Sequence, residues 1–529
     1  MTRSSPPAPD AALQAREEVD VLLLLEGTFP YVRGGVSSWV DQIIRGFPEL
    51  RFGGIFIGSQ RKDYGEQRYE LPHNLVHLDR FYIHEAHGHS EVPHSMAGDA
   101  EAFAQARELH NCWRNPSLAG AANAQLGQLL PLMAPGGPLD AFAFLHSQAA
   151  WRTITGDYEA RCSDPSFVDY FWTVRTMHAP IWRLLAAANR APRARVLHTI
   201  STGYAGFLGT LIHQMRGTPL LVSEHGIYTK ERKIDLFQSE WVRDNRQEFE
   251  RGGELAYFRG LWIRFFEAIG RCCYDSAHNI VALFEANRLR QVADGAPAER
   301  TRSIPNGVDL ARYAPLRQKR EFGPNGEPPA VACLIGRVVP IKDIKTFIRA
   351  MRTVATRLPH AQGWIAGPEE EDPEYARECR LLVESLGLTN NVKFLGFQDV
   401  AELMPQVGLV VLSSISEGLP LVILEGYAAG TPCVSTDVGS CRQLVYGIEP
   451  KDTAIGPAGE VVRIADPGGL GEAITGLLGD PERWHSASRA AIERVETFYT
   501  AEQMFAAYRA LYADAMAHAT PALDAAEAG

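Results

Sequence analysis

Cysteine is sparse in this chain and follows no metal-binding spacing. Eight of the 529 residues are cysteine, only Cys272 and Cys273 are adjacent, and no CxxC or zinc-type Cys/His spacing occurs. Scattered cysteines in a long chain are typical of a reducing cytoplasm rather than of a disulfide framework. The histidines of HEAHGHS (84–90) match no common metal site, so we interpret this stretch as a solvated loop. We expect no metal and no other cofactor.

Long apolar runs and a surplus of basic residues are also missing. The leader, residues 1–18, has no apolar segment of signal-peptide length, and we expect it to be disordered. The run VLLLL (21–25) is far shorter than the ~20 apolar residues that span a bilayer. The formal net charge of −11 argues against a nucleic-acid partner but leaves room for a local basic pocket. We therefore expect a soluble protein that could still dock on a membrane complex.

Strand and helix patterns alternate in two regions of the chain. The first begins with VDVLLLLEG (19–27), a continuous apolar run that suits a buried parallel strand, followed by apolar residues at helical spacing. The second begins with AVACLIGR (330–337) and repeats the alternation up to TPCVSTD. This alternation predicts an α/β fold of two Rossmann-like domains that face a cleft.

Composition places the domain boundaries. We assign the first domain to residues 19–318, with a mostly helical insertion at about 80–195, and the second domain to 319–490. The stretch KREFGPNGEPPA (319–330), rich in Gly, Pro and charge, is the predicted linker. Helices within 491–529 are expected to pack back on the first domain before a C-terminal tail.

Two glutamates flank an apolar run in SISEGLPLVILEGYAAG (414–430). A helix is predicted from about Leu421, so Glu417 lies in a loop at the carboxyl edge of a strand, where open α/β sheets bind ligands. The start of such a helix also favours phosphate. Glu425 lies one turn into the helix, where its carboxylate could accept hydrogen bonds from a vicinal diol such as a ribose. A structural arginine partner would explain Glu425 equally well.

Cations lie on a second strand-end loop, GRVVPIKD (336–343). Arg337 and Lys342 project toward the same edge of the sheet and could neutralise a diphosphate, the guanidinium as a fork and the ammonium as a point charge. Two unrelated surface cations are the alternative. No acidic metal motif such as DxD ends a strand, so these cations would replace a metal.

Two loops of the first domain hold further candidates. Gly34 and Gly35 precede the first helix, and glycine permits positive φ and close approach of the backbone to a ligand. The pattern is not GxGxxG, which leaves a plain loop–helix junction open. His225 follows the strand of PLLVSEHG (219–226), although a lone histidine is more often structural.

The order of these motifs resembles that of the family 4 retaining glycosyltransferases, which have the GT-B fold. GGV, HG, IPNGVD, GR-x4-KD, NVKFLG, E-x7-E and GTPCVSTDVG occur in the family order between about residues 19 and 515, the insertion excepted. The pairing of E-x7-E with GR-x4-KD is the specific part of this resemblance. It implies an acceptor-side first domain and a nucleotide-sugar second domain.

The resemblance implies a set of groups around the donor diphosphate. Arg337 and Lys342 would hold the diphosphate, and the backbone amides around Leu421 and Val422 would meet its phosphates. Glu417 would lie beside the donor sugar and orient it. The catalytic residues implied in this domain are therefore Arg337, Lys342 and Glu417.

Other positions of the family pattern complete the implied site. Glu425 would bind the ribose, and Phe397 of NVKFLGF would lie near the nucleobase. In the first domain, His225 would lie near the sugar as a further catalytic residue, and Gly34 and Gly35 would approach the phosphate. The acceptor region offers no comparable match.

A narrower resemblance concerns the segment LLLEGTFPYVRGGVSSWV together with the helical insertion. Both are similar to the cytoplasmic glycosyltransferases of bacterial Pel exopolysaccharide synthesis. That similarity implies a UDP-hexose donor such as UDP-glucose, a polysaccharide acceptor, and recruitment to the inner membrane by Pel synthase components. Two alternatives stay open: a non-catalytic scaffold subunit that binds nucleotide sugars, and a nucleotide-sugar epimerase of GT-B fold.

Overall fold

The computed structural model describes residues 18–84, 96–162, 166–238 and 251–519. The chain divides into two compact units, the first formed by residues 1–281, 289–302 and 510–529 and the second by 282–288 and 303–509. Each unit contains its own β-sheet, with helices in the connections between strands. The predicted pair of Rossmann-like α/β domains is therefore confirmed.

The first unit is built on a seven-stranded sheet of order β3-β2-β1-β4-β5-β6-β7. Its strands are β1 (Val19–Glu26), β2 (Phe52–Gly58), β3 (Leu75–Tyr82), β4 (Ala194–Thr199), β5 (Leu220–Glu224), β6 (Ala277–Ala282) and β7 (Thr301–Ser303). β1 pairs in parallel with β2 and β4. Its leucines are fully buried because helices cover both faces of a sheet with parallel connections.

The helices of this part of the chain include those that fill the predicted insertion. They are α1 (Gly35–Gly46), α2 (Ala100–Arg114), α3 (Ala122–Leu129), α4 (Ala141–His146), α5 (Gln148–Arg161), α6 (Phe167–Arg190), α7 (Tyr204–Arg216), α8 (Tyr228–Gln238), α9 (Arg251–Ser276) and α10 (Glu285–Ala293). Helices α2 to α6 confirm that the insertion is mostly helical. Its start differs from the prediction, because edge strand β3 extends past residue 80.

The insertion shares a hydrophobic core with the sheet of the first unit. Leu126 of α3 and Leu184 of α6 are buried in the same cluster as Phe207 of α7 and Ile269 of α9. Burial of such large side chains contributes roughly 1.5–3 kcal/mol each. The insertion is therefore an integral layer of the first unit.

The second unit is built on a six-stranded sheet of order β10-β9-β8-β11-β12-β13, in which all five pairings are parallel. Its strands are β8 (Val331–Ile335), β9 (Gln362–Ala366), β10 (Val392–Gly396), β11 (Leu409–Leu412), β12 (Cys433–Thr436) and β13 (Gly459–Val462). The order reverses direction between β8 and β11, and such a reversal marks the point where open α/β sheets bind ligands at their carboxyl edge.

Helix α12, which follows β8, has a clear N-cap and one buried face. Asp343 caps α12 with its carboxylate at Thr346 N, and Phe347, Ile348 and Met351 are buried at helical spacing. The set is α11 (Leu310–Tyr313), α12 (Ile344–Arg357), α13 (Pro373–Ser385), α14 (Val400–Leu403), α15 (Leu421–Ala428), α16 (Cys441–Tyr446), α17 (Pro450–Thr453), α18 (Pro467–Leu478), α19 (Pro481–Phe498) and α20 (Ala501–Ala517).

The structure places the predicted linker, residues 319–330, inside the second unit instead of at a junction. The cause is Arg320, whose buried guanidinium donates hydrogen bonds to the carbonyl oxygens of Gly430 and Met404. A buried charge has to be satisfied in this way, and these bonds tie the segment to the second core.

The C-terminal helices divide between the units in a way that the sequence did not indicate. Helix α19 belongs to the second unit, and only residues from 510 onward belong to the first. There the hydroxyl of Tyr512 lies 2.8 Å from Nδ1 of buried His198, and its ring packs on Phe47. The expectation that 491–529 packs on the first domain therefore holds only for the end of α20.

All eight cysteines are free and buried. Across the residues that the structure describes, every helix is too short or too polar to cross a membrane. The predicted disordered leader, apart from residue 18, and the histidine-rich stretch from residue 85 onward lie outside the described residues.

Candidate functional site

Lys342 and Glu417 meet at the carboxyl edge of the second sheet. The Lys342 Nζ lies 2.5 Å from Glu417 Oε1, and Ser414 Oγ donates to the same oxygen over 2.6 Å. The side chains are only 23% and 13% exposed, so water screens this pair less than a surface pair. The two motifs were predicted to share an edge, but the sequence did not show that their charged groups touch.

Backbone contacts hold the two loops together beneath this ion pair. Ser413 Oγ donates to the carbonyl oxygens of Lys342 and Asp343, and Ile415 N donates to Ile341 O. The Lys342 side chain is thus carried by a loop whose position is fixed from the neighbouring strand β11.

A third loop, which follows β12, supports Glu417 from behind. Ser440 donates to Gly418 O through both its N–H and its hydroxyl, at 3.0 and 3.1 Å. Gly439 has φ +53°, and a side chain there would collide with the carbonyl oxygens of Glu417 and Gly418. Only glycine fits this position, which is the physical reason for Gly439 in the TDVGS segment.

Helix α15 begins at Leu421, as predicted, with Pro420 at its N-cap. Leu421 and Val422 are half-buried at the helix start. The N–H groups of a first helical turn have no intrahelical acceptor and carry partial positive charge. Glu417 and these amides therefore lie four to five residues apart at one strand end.

Glu425 lies half-buried, one turn into α15, and its partner is a tyrosine. Tyr313 Oη donates to Glu425 Oε1 over 3.0 Å, and burial raises the pKa of the Glu425 carboxyl above its usual value. Among the described residues, Oε2 of Glu425 makes no hydrogen bond. The nearby Arg312 is instead bound to Asp399 at 2.9 Å, so the structural-arginine explanation for Glu425 is not the one found.

Arg337 is 43% exposed and forms an ion pair that the sequence did not indicate. Its Nη1 lies 2.5 and 2.6 Å from the two carboxylate oxygens of Glu371, which is itself exposed. An exposed pair of this kind contributes about 0–1 kcal/mol. An anionic ligand could therefore displace Glu371 from Arg337 at small cost.

Phe397 follows the last residue of β10 and is 70% exposed. The preceding Gly396 has φ +65°, where glycine is favoured. Phe397 is thus a large aromatic side chain exposed at the carboxyl end of a strand. Phe397, Arg337 and Glu417 follow β10, β8 and β11, so all three lie at the same edge of this sheet.

The two first-unit glycines lie at the start of helix α1. Gly34 is the N-cap of α1 with φ 168°, which is extended backbone, and Gly35 is the first residue of the helix. Neither glycine lies in the left-handed region, so the positive φ that glycine permits is not used at this junction. A Cβ added at either position would meet no atom of the described residues within 4 Å, so open space lies beside both glycines.

His225 lies directly after β5 and is buried against Trp39, with ring centroids 4.5 Å apart. Among the described residues its Nε2 has no hydrogen-bond partner. Burial lowers the pKa of His225 to about 3, so the ring is neutral near pH 7. A neutral ring can exchange hydrogen bonds with a ligand but supplies no positive charge.

Glu224, the neighbour of His225, is a buried carboxylate that sequence reasoning missed. It accepts hydrogen bonds from Tyr274 Oη at 2.5 Å, Thr202 Oγ1 at 2.9 Å and Gln291 Nε2 at 3.0 Å. Burial raises the pKa of Glu224. These bonds come from elements distant in sequence, so no local pattern could have shown them. They fix the strand end that carries His225.

One group of potential metal ligands occurs in the described part of the chain, and it is separate from the candidate site residues. His278, Asp514 and His518 have ligand atoms within 4.8 Å of one another. His278 is at the amino end of β6, opposite to the carboxyl edge at which parallel sheets bind ligands. His278 and Asp514 already pair at 2.8 Å, and exposed acidic groups of this kind are common without a metal.

Two parallel Rossmann-like sheets, with polar groups at a carboxyl edge beside a helix N-terminus, define a protein of GT-B fold. The model of the family described as "Domain of unknown function (DUF3492)" matches residues 19–299, and the chain belongs to that family. Residues 329–480 match the model described as "Glycosyl transferases group 1". The second match contains Lys342, Glu417 and Glu425.

Named relatives are similar to part of this chain, and solved structures share its fold. D-inositol 3-phosphate glycosyltransferase 2 of Catenulispora acidiphila is 29% identical over 236 residues, 42% of this chain and 53% of its own. The chain thus spans about half the length of the curated relatives that it matches. Sucrose-phosphate synthase from Thermosynechococcus elongatus (TM-score 0.57, 18% identity) and Anabaena Alr3699/HepE in complex with UDP and glucose (0.53, 15%) share the fold over 94% of this chain and 99% and 100% of theirs.

Proposed function

We propose that this chain is a retaining hexosyltransferase that moves a hexose from a UDP-linked donor to a growing exopolysaccharide. The observation that carries the proposal is the contact of Lys342 with Glu417 beside the N-terminus of α15, with Arg337 at the same edge. The group 1 glycosyltransferase match over these residues supports it. So does the fold shared with a protein solved in complex with UDP and glucose.

The proposed chemistry breaks the bond between the anomeric carbon and the diphosphate and forms one to the acceptor hydroxyl. Arg337, Lys342 and the first-turn amides at Leu421 and Val422 would stabilise the charge that grows on the leaving diphosphate. The acceptor hydroxyl attacks from the face of the sugar that the diphosphate leaves, so the configuration at the anomeric carbon is retained. Its proton passes to a phosphate oxygen on that face. Glu417 orients the sugar and holds Lys342 in place.

The rest of the donor is assigned by the resemblance to family 4 enzymes. The Oε2 atom of Glu425 would accept a hydrogen bond from the ribose, while Tyr313 holds Oε1. Phe397 would stack on the uracil. In the first unit, the open space at Gly34 and Gly35 suits an approaching phosphate, and the unpaired Nε2 of His225 suits a sugar hydroxyl.

Turnover should survive removal of divalent metal, because Arg337 and Lys342 supply the counter-charge. The measurement is release of UDP from a panel of labelled UDP-hexoses, with oligosaccharide acceptors and with or without EDTA. We expect equal rates in both conditions. Complete loss with EDTA would contradict the role given to the two cations. A scaffold subunit would bind donor without releasing UDP, and an epimerase would return a different nucleotide sugar.

We further propose that the chain acts in Pel biosynthesis, as a protein of the PelF type, and is recruited to the inner membrane by partner components of the polysaccharide synthase. The support is the resemblance of the segment that precedes α1, together with the helical insertion of the first unit. Expressed without these partners, the protein should stay in the supernatant after ultracentrifugation of lysed cells. Quantitative recovery in the membrane pellet without the partners would contradict recruitment by them.

A further inference from the structure

The helical insertion of the first unit and helix α9 line a cavity for which glycosyl transfer gives no role. It measures about 560 Å³ and is lined by residues of α2, α4, α5, α6 and α9. Nine of its lining residues are Phe, Tyr or Trp, among them Phe103, Phe144 and Phe265. Protein interiors rarely contain voids much larger than a water molecule, whereas ligand sites of roughly 300–1,000 Å³ are common. A space of this size and lining suits an apolar ligand.

A pair of histidines is among the polar groups of this cavity. His178 Nδ1 lies 2.7 Å from the carbonyl oxygen of Val174, so this nitrogen carries the proton. His178 Nε2 is then the acceptor for His110 Nε2, 3.1 Å away. Burial lowers the pKa of both rings, which are therefore neutral. This tautomer leaves His110 Nδ1 as a hydrogen-bond acceptor.

Arginine gives the cavity an excess of positive charge. Among its described lining residues are four arginines and one carboxylate, that of Asp157. Arg114 Nη2 holds Asp157 Oδ2 at 3.0 Å, whereas Arg161 lies 4.0 Å from the other oxygen. Arg175 donates to the carbonyl oxygen of Leu145 instead of to an acid. One carboxylate cannot neutralise these cations, so the lining is complementary to an anion.

The apolar lining continues outward to a pair of exposed tryptophans. Trp151 and Trp172 are 53% and 57% exposed, and the ring of Phe171 lies 6.1 and 5.3 Å from theirs. Trp151 and Arg161 are ten residues apart on α5, which corresponds to about 15 Å along a helix. The cavity therefore has an aromatic end and a cationic end, separated by the length of a short hydrocarbon chain.

We propose that this cavity binds a single-chain anionic amphiphile, with the hydrocarbon chain among the aromatic side chains and a phosphate or carboxylate at Arg114 and Arg161. Transfer of the hydrocarbon chain from water to the apolar lining raises the affinity by roughly fourfold per methylene. The arginine cluster selects the head group because charge-assisted hydrogen bonds are the stronger ones. This site is independent of the donor site, so neither proposal depends on the other.

Decyl phosphate below its micelle concentration is the probe, and titration calorimetry on the full chain is the measurement. We expect one molecule to bind per chain, about tenfold more tightly than decanol, since a hydrogen bond to a charged group contributes about that factor. Decyltrimethylammonium, with the opposite charge, should not bind measurably. Equal affinities for the phosphate and the alcohol would overturn the assignment of the arginine cluster.

Two pairs of variants on α5 locate the ligand. Ala150→Trp fills the cavity and should abolish binding, whereas Ala160→Trp, on an exposed position of the same helix outside the lining, should not. Arg161→Gln should weaken binding about tenfold, and exposed Arg152→Gln should leave it unchanged. Should Ala150→Trp melt at a markedly lower temperature, Ile154→Phe fills the same space with a smaller change.

An assay with phosphatidylglycerol vesicles distinguishes binding of a single amphiphile in the cavity from binding of the protein to a membrane surface. The proposal requires that monomeric decyl phosphate binds in solution, with saturation and with loss in Ala150→Trp. Unchanged binding in that variant would place the ligand elsewhere and overturn the proposal. Co-sedimentation with vesicles, abolished by a double Trp151→Ser and Trp172→Ser change, in the absence of any binding of the monomer would overturn it in favour of a membrane-contact patch.

Discussion

Lys342→Gln should lower kcat/KM for the UDP-hexose by roughly a hundred- to a thousandfold. That is the typical effect of removing one group that stabilises charge in a transition state. Lys342 is held at the carboxyl edge of the second sheet by Glu417, and its loop is bound to the end of β11, so the glutamine should not rearrange the loop.

The matched control is Lys345→Gln, three residues further along. Lys345 also contacts a glutamate, Glu378 at 2.7 Å, but it belongs to α12 and its pair is more exposed. We expect turnover within about twofold of wild type, because exposed pairs contribute little. Equal losses in the two variants would show that any lysine removed from this region disturbs the fold, and the catalytic role of Lys342 would be wrong.

A double variant separates two reasons for a loss at Lys342. The lysine could act on the diphosphate, or it could only neutralise Glu417, with which it shares a hydrogen bond. Lys342→Gln leaves a poorly hydrated carboxylate without its partner, so the melting temperature has to be compared first. If neutralisation were its whole role, adding Glu417→Gln would raise turnover to that of Glu417→Gln alone. We expect turnover to stay below that of Glu417→Gln alone, because the double variant still lacks the Lys342 ammonium and leaves Arg337 alone to face the diphosphate.

Regular patterns predicted the two sheets and the loops that carry the site. The apolar runs of β1 and β8, the helical spacing of α12 and the start of α15 at Leu421 could all be read locally. The rule that parallel strands present ligand sites at one edge then brought Arg337, Lys342 and Glu417 together. Local sequence was sufficient because strand direction alone determines which loops share an edge.

Side-chain partners could not be predicted in the same way. Tyr313 meets Glu425 from 112 positions away, and Glu371 meets Arg337 from 34. Such pairs depend on how loops pack in three dimensions, which periodicity does not record. The prediction of a linker at 319–330 was wrong for the same reason. A segment rich in Gly, Pro and charge can still be bound to a core, as Arg320 shows by its buried hydrogen bonds.

The helical insertion shows a second feature that the sequence could not predict. Its helices were predicted, but the cavity that four of them line is closed on a further side by α9, a helix outside the insertion. The aromatic residues that line it look in sequence like ordinary core positions at helical spacing. A void is a property of the packed side chains together, so neither Trp113 nor Tyr170 alone carries information about it.

Replacing Glu425 or Glu417 by alanine should have different effects on UDP affinity and on turnover. If Glu425 holds the ribose, Glu425→Ala should weaken free UDP and the UDP-hexose alike. A hydrogen bond to a charged group is typically worth ~1.5–3 kcal/mol, so the affinity should fall roughly ten- to a hundredfold. Tyr313→Phe leaves the carboxylate and removes only its protein partner, so its effect on UDP affinity should be much smaller.

Glu417→Ala should leave the affinity for free UDP unchanged or increase it, while turnover of the UDP-hexose falls at least tenfold. The reason is the ion pair: without Glu417, the ammonium of Lys342 loses its carboxylate and is available to the diphosphate, whereas the sugar loses the group that orients it. Glu402→Ala, at an exposed glutamate of α14, is the control and should alter neither quantity. Titration calorimetry with UDP and a UDP-release assay measure the two effects, after melting temperatures have shown that each variant is folded. If Glu425→Ala and Glu417→Ala both bound UDP as the wild type does, Glu425 would be a structural residue held by Tyr313, and the ribose would have to be bound by another group.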